Sequence, residues 1–293
     1  MKLGGTALAV ALIFGMALFG CDSKPEGKAA ERVRELNEIP IAQLRVMLKG
    51  YPGDWRAASE AGTGKQEPAL GKTVPQGAKR ITLQLPGLNV LGAMSVREAI
   101  ATRRSARQFS QAQISFEELS FLLWATQGVT GTEQNEAGEV LRRHRAAPSA
   151  GGRYPLETYL AVERVEGIAK GLYRYLPEEH ELLVVREDAK LSGDIGAACY
   201  GSPAANGAAV TFIWSATPYR TEWKYAYLAH RMIAMEAGHV CENLYLAAET
   251  CRIGVCALLS YHQPRVDELL GLDGVDEFAI YLACVGKPAE VGQ

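Results

Sequence analysis

The longest helical pattern in the sequence runs from Tyr225 to Cys251 and carries apolar or small residues on nearly every side. A helix that is apolar all round offers no face to water and must therefore be buried. We expect this helix either at the centre of the domain or in an interface between subunits. His239 lies inside it and is expected to be a hydrogen-bonded core residue.

Two capping boxes mark the starts of shorter helices. One begins at Ser95 and opens a helix to about Thr102, and the other begins at Ser115 and opens a helix that stops at Gly128. A further short helix is predicted at 263–270, and strands are predicted at 157–165, 171–176, 181–186, 210–215 and 277–285. Because helices and strands do not alternate regularly, the pattern favours an α+β fold.

The N-terminus carries an export pattern. Met1 and Lys2 precede an uncharged apolar run over 3–20, which ends in Leu-Phe-Gly before Cys21. The run resembles a bacterial lipoprotein signal peptide (1–20), in which Cys21 is lipidated and becomes the mature N-terminus. An uncleaved anchor helix is the alternative. Either interpretation places the protein outside the cytoplasm, on the periplasmic face of the cell membrane or on the cell surface.

Composition separates the rest of the chain into two parts. Residues 21–80 are poor in large apolar side chains and are predicted to be a tether or linker with one possible helix at 31–49. Residues 81–293 are predicted to form the catalytic domain. The net charge of −2 offers no general attraction to nucleic acid. The six cysteines form no metal-binding spacing, so no metal is expected, and a pairing of Cys251 with Cys256 stays open.

Basic and hydroxyl side chains are concentrated after the first capped helix, at Arg103, Arg104, Ser105 and Arg107. The planar guanidinium group binds phosphate oxygens through two parallel hydrogen bonds and keeps its charge at any relevant pH. The cluster is therefore a candidate phosphate site. The alternative is that these arginines only complement the helix dipole and face water.

Two glycine-containing segments are further candidates. Ser149 precedes Gly151 and Gly152 in a loop over 147–157, where backbone without side chains can lie flat against a ligand. Gly254 follows the long helix and precedes a predicted strand. An ordinary loop and a plain helix C-cap are the respective alternatives.

Taken in order, these segments resemble the nitroreductase family. Residues 103–109 resemble its opening motif, 235–249 its central helix and 282–288 its closing segment, and 147–157 resembles the SagB/ThcOx version of its second flavin loop. The resemblance implies a nitroreductase-like fold, with a central, mostly antiparallel sheet flanked by helices. It also implies a homodimer that binds FMN at its interface.

The resemblance assigns a role to each candidate. Arg103, Arg104, Ser105 and Arg107 would hold the phosphate and ribityl end of FMN. Ser149, Gly151 and Gly152 would lie against the isoalloxazine ring, and Gly254 would approach the ring edge. Lys287 is the basic residue at the position where many relatives carry a distal basic group.

Lys224 and Tyr225 stand at the start of the long helix. In this pair the chain resembles azoline-oxidising SagB-type dehydrogenases, which look to carry a Lys-Tyr pair at the same position. A lysine beside a flavin can act as a general base. A packing or dimer-contact role for the pair is the alternative.

The expected function is therefore that of an FMN-dependent oxidoreductase. It would transfer two electrons between a small-molecule or peptide substrate and a second redox partner outside the cytoplasm. The alternatives are an NAD(P)H-dependent nitro or quinone reductase and a non-catalytic, membrane-anchored flavin-binding protein.

Overall fold

The computed structural model describes residues 40, 43, 45–50, 54–84 and 93–289. The predicted signal peptide and Cys21 lie outside the described residues, as does most of the helix predicted at 31–49. Within the described part, no helix is both long enough and apolar enough to cross a bilayer.

Seven of the strands in the described residues form one sheet in the order β1-β6-β5-β4-β7-β9-β8, and every neighbouring pair is antiparallel. Strands β2 and β3 form a separate hairpin. The strands are β1 (Arg80–Thr82), β2 (Val129–Gln134), β3 (Val140–Arg145), β4 (Leu156–Val162), β5 (Gly171–Leu176), β6 (Glu181–Glu187), β7 (Val210–Ala216), β8 (Gly254–Leu258) and β9 (Phe278–Gly286).

Helices cover both faces of this sheet, which confirms the predicted α+β fold with a mostly antiparallel sheet. The helices are α1 (Val96–Thr102), α2 (Phe116–Gln127), α3 (Leu191–Ala198), α4 (Pro203–Gly207), α5 (Tyr219–Tyr225), α6 (Ala229–Thr250) and α7 (Gln263–Leu270). Both predicted capping residues are in place: Ser95 accepts from the Glu98 amide, and Ser115 and Glu118 form a reciprocal box.

The central strands β4 and β7 are buried along their whole length because the two helical layers cover alternate side chains. Leu160 and its cross-strand partner Phe212 point into the core formed with α2 and α6. Tyr159 and its partner Ile213 point into the core formed with α3 and α7. The sheet is therefore a rigid support whose edges and loops can carry a site.

The long helical pattern is interrupted at its N-terminal end. Ala226 has φ +48°, a conformation that costs a residue with a side chain about 1–3 kcal/mol. Helix α5 therefore ends at Tyr225, and α6 begins at Ala229 instead of at 225. His230 lies 2.6 Å from a carboxylate oxygen of Glu222, so this contact bridges the break.

Helix α6 is also less buried in the single chain than its sequence predicts. One face packs against the sheet and α2, whereas the opposite face is exposed. His239 lies on the exposed face, so it is not a core residue of the single chain. That face also carries Ala234, Met235, Gly238 and Glu242.

Part of the segment predicted to be a tether lies on the domain. The side chain of Lys72 forms an ion pair with Glu277, and Arg174 donates to the carbonyl oxygens of Lys72 and Thr73. Strand β1 pairs with β6 as an edge strand of the sheet. The packed structure therefore begins before residue 81.

Candidate active site

The arginine segment is attached to the start of β8. Helix α1 ends at Thr102 and the chain then becomes extended at Arg103. Ser105 forms a parallel bridge with Val255, and the Ala106 amide donates to the Val255 carbonyl oxygen at 2.9 Å. The segment therefore lies along the sheet edge and not free in solvent.

A recess made by two glycines holds this segment in place. Gly254 and Gly286 are direct partners in the β8–β9 register, and the ring of Phe109 packs over both. A Cβ atom on Gly254 would lie 2.6 Å from the Cβ of Ala106, and one on Gly286 would lie 3.0 Å from the Phe109 ring. Gly254 is therefore required for close packing, which the C-cap interpretation does not explain.

The three guanidinium groups have no carboxylate partner within ion-pair distance among the residues that the structure describes. Arg103 lies over the ring of Tyr245, with 5.2 Å between the guanidinium carbon and the ring centroid. Arg104 donates to the Arg103 carbonyl oxygen at 2.7 Å. Arg107 is exposed near Cys256, whose pKa is raised by burial although the charge of Arg107 opposes that rise.

Ser105 is fixed by the same tyrosine. Its hydroxyl lies 3.1 Å from the Tyr245 hydroxyl, which in turn accepts from the Ala257 amide at 2.8 Å. Three positive charges without a carboxylate partner among the described residues, together with a hydroxyl on the sheet edge, form a site suited to a phosphate dianion. We call Arg103, Arg104, Ser105 and Arg107 the arginine cluster.

The second glycine segment forms a tight turn directly after β3. Ser149 precedes a short 3₁₀ turn, in which Gly151 has φ +63° and Gly152 has φ +66°. These values lie in the left-handed region, which glycine adopts without a steric penalty. The Ser149 hydroxyl accepts from the Tyr154 amide at 2.8 Å, and this hydrogen bond closes the turn.

Lys224 and Tyr225 contact this turn. The Lys224 ammonium lies 3.4 Å from the Gly151 carbonyl oxygen. A Cβ atom on Gly151 would lie 2.5 Å from the Tyr225 hydroxyl and 2.9 Å from the Lys224 ammonium. The structure thus brings together Ser149, Gly151, Gly152, Lys224 and Tyr225, which we call the glycine-loop cluster.

Glu236 belongs to this cluster although sequence reasoning missed it. It is 4% exposed, and the Ser149 hydroxyl donates to its carboxylate at 2.6 Å. Burial raises the pKa of Glu236 to about 7, and the hydrogen bond from Ser149 and the charge of Arg145 oppose that rise. A glutamate inside an otherwise apolar helix face is the signal that could have identified it.

The segment over 54–72 covers one side of the same cluster. The ring of Trp55 lies 5.0 Å from the ring of Tyr225. Arg153 is buried, forms an ion pair with Glu67 and lies over the ring of Trp223 at 5.0 Å. This segment therefore contributes side chains next to the candidate site.

Lys287 is not part of either cluster. Its ammonium forms an ion pair with Glu118 in the first turn of α2. Its backbone carbonyl accepts from the Ser110 amide at 2.9 Å. The side chain is therefore occupied by a structural partner.

The two clusters contact α6 from opposite sides. Tyr245 supports the arginine cluster and Glu236 supports the glycine-loop cluster, and they are nine residues apart. At about 100° per residue, nine residues amount to two full turns plus about half a turn, so the two side chains leave the helix on opposite sides. Neither cluster by itself contains all of the predicted site residues.

Comparison with known proteins agrees with these features. The sequence profile of the nitroreductase family matches residues 100–287. A protein of Methanocaldococcus jannaschii named "Putative nitroreductase MJ1384" is 29% identical over 208 residues, which are 71% of this chain and 97% of that protein.

Solved structures show the same fold. A nitroreductase-like protein from Ralstonia eutropha is 26% identical with a TM-score of 0.58, and the match covers 74% of this chain and 93% of that one. One from Anabaena variabilis is 25% identical with a TM-score of 0.60, and the match covers 72% of this chain but only 42% of that longer chain. A chain of the E. coli microcin synthetase McbBCD complex, solved with truncated pro-MccB17 bound, has a TM-score of 0.52 at 18% identity, which shows a common fold. That match covers 86% of this chain and 99% of that one.

The family profile spans well over half of the sequence and includes the arginine cluster, the glycine loop, α6 and β8. The chain therefore belongs to the nitroreductase family.

Proposed function

We propose that this protein is an FMN-dependent oxidoreductase that passes two electrons, as hydride, between an organic substrate and a second redox partner. The observation that carries the proposal is the arginine cluster on the rigid edge of β8. Its three guanidinium groups lack a carboxylate partner among the described residues, although ion pairs are frequent elsewhere in the fold. A phosphate dianion would offset two of their three positive charges.

Bound FMN would supply the redox chemistry, and the protein would supply binding, orientation and proton handling. The arginine cluster would hold the phosphate and ribityl end. The Gly151 and Gly152 backbone would lie against the flat ring, and Lys224 and Tyr225 would face the substrate. In this role, the Lys224 amine would remove a proton from the atom next to the substrate carbon that gives up hydride, and a double bond would form between these two atoms.

We further propose a homodimer in which both clusters take part in each site. The exposed face of α6 lies between the side that carries Tyr245 and the side that carries Glu236, and its Met235 is 57% exposed. Small and apolar residues such as Gly238 permit close approach of a second helix. A second copy packed on this face would bring the arginine cluster of one subunit towards the glycine-loop cluster of the other.

The Lys224–Tyr225 pair and the 147–157 loop favour a SagB-type dehydrogenase within the family. We also propose export and anchoring through Cys21, which would favour a dehydrogenase because nicotinamide nucleotides are not available outside the cytoplasm. Oxygen, a quinone or a redox protein would then accept the electrons. A Cys21→Ser variant that stays in the membrane fraction would contradict the lipid anchor.

The proposal is tested with the purified full-length chain in detergent, loaded with FMN. Replacing Arg103, Arg104 and Arg107 together by glutamine should abolish yellow colour after removal of free FMN. The matched control replaces three exposed arginines outside the clusters, Arg97, Arg142 and Arg265, and should retain FMN. Fully coloured protein without the arginine cluster would contradict the proposal.

Anaerobic reduction of the loaded protein, followed by a screen of electron acceptors by absorbance, separates the alternatives. Rapid reduction by micromolar NADPH would favour an NAD(P)H-dependent nitro or quinone reductase. A bound flavin that exchanges electrons with none of the donors or acceptors would favour a non-catalytic flavin-binding protein.

A further inference from the structure

We propose that Glu236 and Ser149 form a proton relay that ends at the glycine loop and exchanges one proton with the ligand bound there. The inference rests on the proposed FMN-dependent function and adds a proton pathway to it. Glu236 acts through Ser149 and so is a positioning residue without its own ligand contact. It is part of neither the Lys224–Tyr225 pair nor the arginine cluster.

The first support for the relay is the placement of the carboxyl group. Glu236 projects from α6 into the space below the glycine turn and is almost completely buried. A buried carboxylate that served only packing would be replaced at lower free-energy cost by an apolar or amide side chain. Among the described residues, its hydrogen-bond partners are the Ser149 hydroxyl at 2.6 Å and the Ala150 backbone.

The second support is the hydrogen-bond capacity of Ser149. Its oxygen has two acceptor positions and one hydrogen. The Tyr154 amide always donates to it and occupies one acceptor position. The remaining acceptor position and the hydrogen are shared between Glu236 and whatever lies on the open side of the loop, because Ser149 is only partly buried.

This arrangement has two states. When Glu236 is ionised, Ser149 donates to the carboxylate and can only accept from a ligand. When Glu236 is protonated, it donates to Ser149, whose own hydrogen is then free to point at the ligand. In the transfer step, the proton leaves the Glu236 oxygen for Ser149 Oγ while the Ser149 hydrogen passes to the acceptor atom of the ligand. The carboxylate left behind stays ionised until the ligand is oxidised again and the proton returns along the same path.

The charged surroundings permit both states near neutral pH. Burial favours the protonated form of Glu236, whereas Arg145 on β3 and the hydroxyl of Ser149 favour the ionised form. From α5, the nearby charged group is Lys224, whose ammonium contacts Gly151. These opposing effects place the pKa of Glu236 at about 7, where a proton donor and acceptor is most effective.

The test measures the midpoint potential of the bound flavin against pH, in the FMN-loaded full-length protein, by spectroelectrochemistry. This readout does not depend on turnover. For the wild type, the plot of midpoint potential against pH should change slope near the pKa of Glu236, because Glu236 holds its proton in the oxidised state and has passed it to the ligand in the reduced state. The bend should be absent from Glu236→Gln and Ser149→Ala but retained in Ser149→Thr, which keeps the hydroxyl.

Glu117→Gln is the matched control, because Glu117 is an exposed glutamate at the start of α2, and it should retain the bend. A bend that persists in Glu236→Gln would overturn the relay. A bend lost in Glu236→Gln but kept in Ser149→Ala would also overturn it, because Glu236 would then act without Ser149. The two serine variants keep Glu236 in place and decide the question even if Glu236→Gln does not fold.

Failure of the proposed function has a different signature. If wild-type protein retains no FMN after loading, the proposed function and the relay that rests on it both fall. If FMN is retained at full occupancy and the plots of all variants coincide, only the relay falls.

Discussion

Gly254 and Gly286 are opposite each other across β8 and β9, and together they form the recess that holds the ring of Phe109. This relationship explains how a polar, exposed arginine segment is held on the sheet edge, where its guanidinium groups form no ion pair with any residue that the structure describes. Two contacts position the arginine cluster. The ring of Phe109, four residues after Ser105, packs into the recess, and the Ala106 amide donates to the Val255 carbonyl oxygen.

We expect Gly254→Ala to displace the arginine segment. Its Cβ would lie 2.6 Å from the Cβ of Ala106 and 3.2 Å from the Phe109 ring, which is overpacking with a cost of about 1–3 kcal/mol in the free energy of unfolding. Affinity for FMN should fall in parallel. Denaturant unfolding and FMN titration check both effects.

Gly193→Ala is the control for this substitution. Gly193 lies within α3 with open space around its Cα, so alanine there should stabilise the protein by up to about 1 kcal/mol and leave FMN affinity unchanged. Unchanged FMN affinity in Gly254→Ala would contradict the role of the glycine recess.

Gly151→Ala and Gly152→Ala form a matched pair. Both residues have positive φ, so both substitutions should cost about 1 kcal/mol in backbone strain. Only at Gly151 would the new methyl group also meet Lys224 and Tyr225, because Gly152 has open space. We expect turnover to fall further in Gly151→Ala than in Gly152→Ala, as measured by steady-state kinetics. Equal losses would show that contact with the Lys-Tyr pair does not matter.

Replacement of Lys224 by methionine tests its role as a base. Methionine keeps most of the length and packing of the side chain but removes the amine. We expect kcat to fall by about 10²–10⁴-fold with the bound flavin spectrum unchanged. Lys190→Met, at an exposed lysine before α3, should have no effect. Near-normal turnover in Lys224→Met would support the packing alternative.

Glu236 predicts a specific pH dependence of stability. Its pKa is about 7 in the folded protein and about 4.5 in an unfolded chain, so the folded state binds the proton more tightly. Its stabilising contribution is therefore fully present below the pKa that Glu236 has in the unfolded chain, and it is lost as the pH rises through about 7. Relative to Glu236→Gln, the free energy of unfolding of the wild type should fall by about 3 kcal/mol at most between about pH 5 and about pH 8.

Denaturant unfolding of both proteins at several pH values measures this difference. Burial raises the pKa of Asp267 to about 6, so Asp267 adds a pH dependence of stability of the same sign. Both proteins contain Asp267, and its contribution therefore cancels when they are compared. Ser149→Ala should raise the Glu236 pKa further, because it removes a hydrogen bond that favours the carboxylate. Parallel stability curves for the wild type and Glu236→Gln would show that Glu236 does not titrate in this range.

The segment over 54–72 should contribute to stability through Glu67. Its carboxylate pairs with the buried guanidinium of Arg153, whose pKa is lowered mainly by burial. Glu67→Gln should cost about 1–2 kcal/mol, since Arg153 would retain only neutral acceptors. Glu60→Gln, in an exposed pair with Lys65 in the same segment, should have little effect. Equal effects of the two substitutions would indicate that the Arg153 contact is unimportant.

The sequence by itself determined the elements whose signals are local. The capping serines and the glycine stop define α1 and α2, and alternating or apolar runs between turns define β4 to β7 and β9. The arginine cluster and the glycine loop were also recognisable, because each is a short contiguous motif. The β2–β3 hairpin, α3 and α4 were missed, since their side chains are polar or small and their stability comes from neighbours.

Tertiary structure alone decided how these motifs relate. The break at Ala226, the attachment of residues 54–72 and the pairing of Gly254 with Gly286 depend on contacts between distant parts of the chain, which periodicity does not encode. The same holds for Ser149 and Glu236, which are 87 positions apart in the sequence and are joined by a hydrogen bond of 2.6 Å. This hydrogen bond and the raised pKa of Glu236 arise only when folding brings the two side chains together and buries the carboxylate.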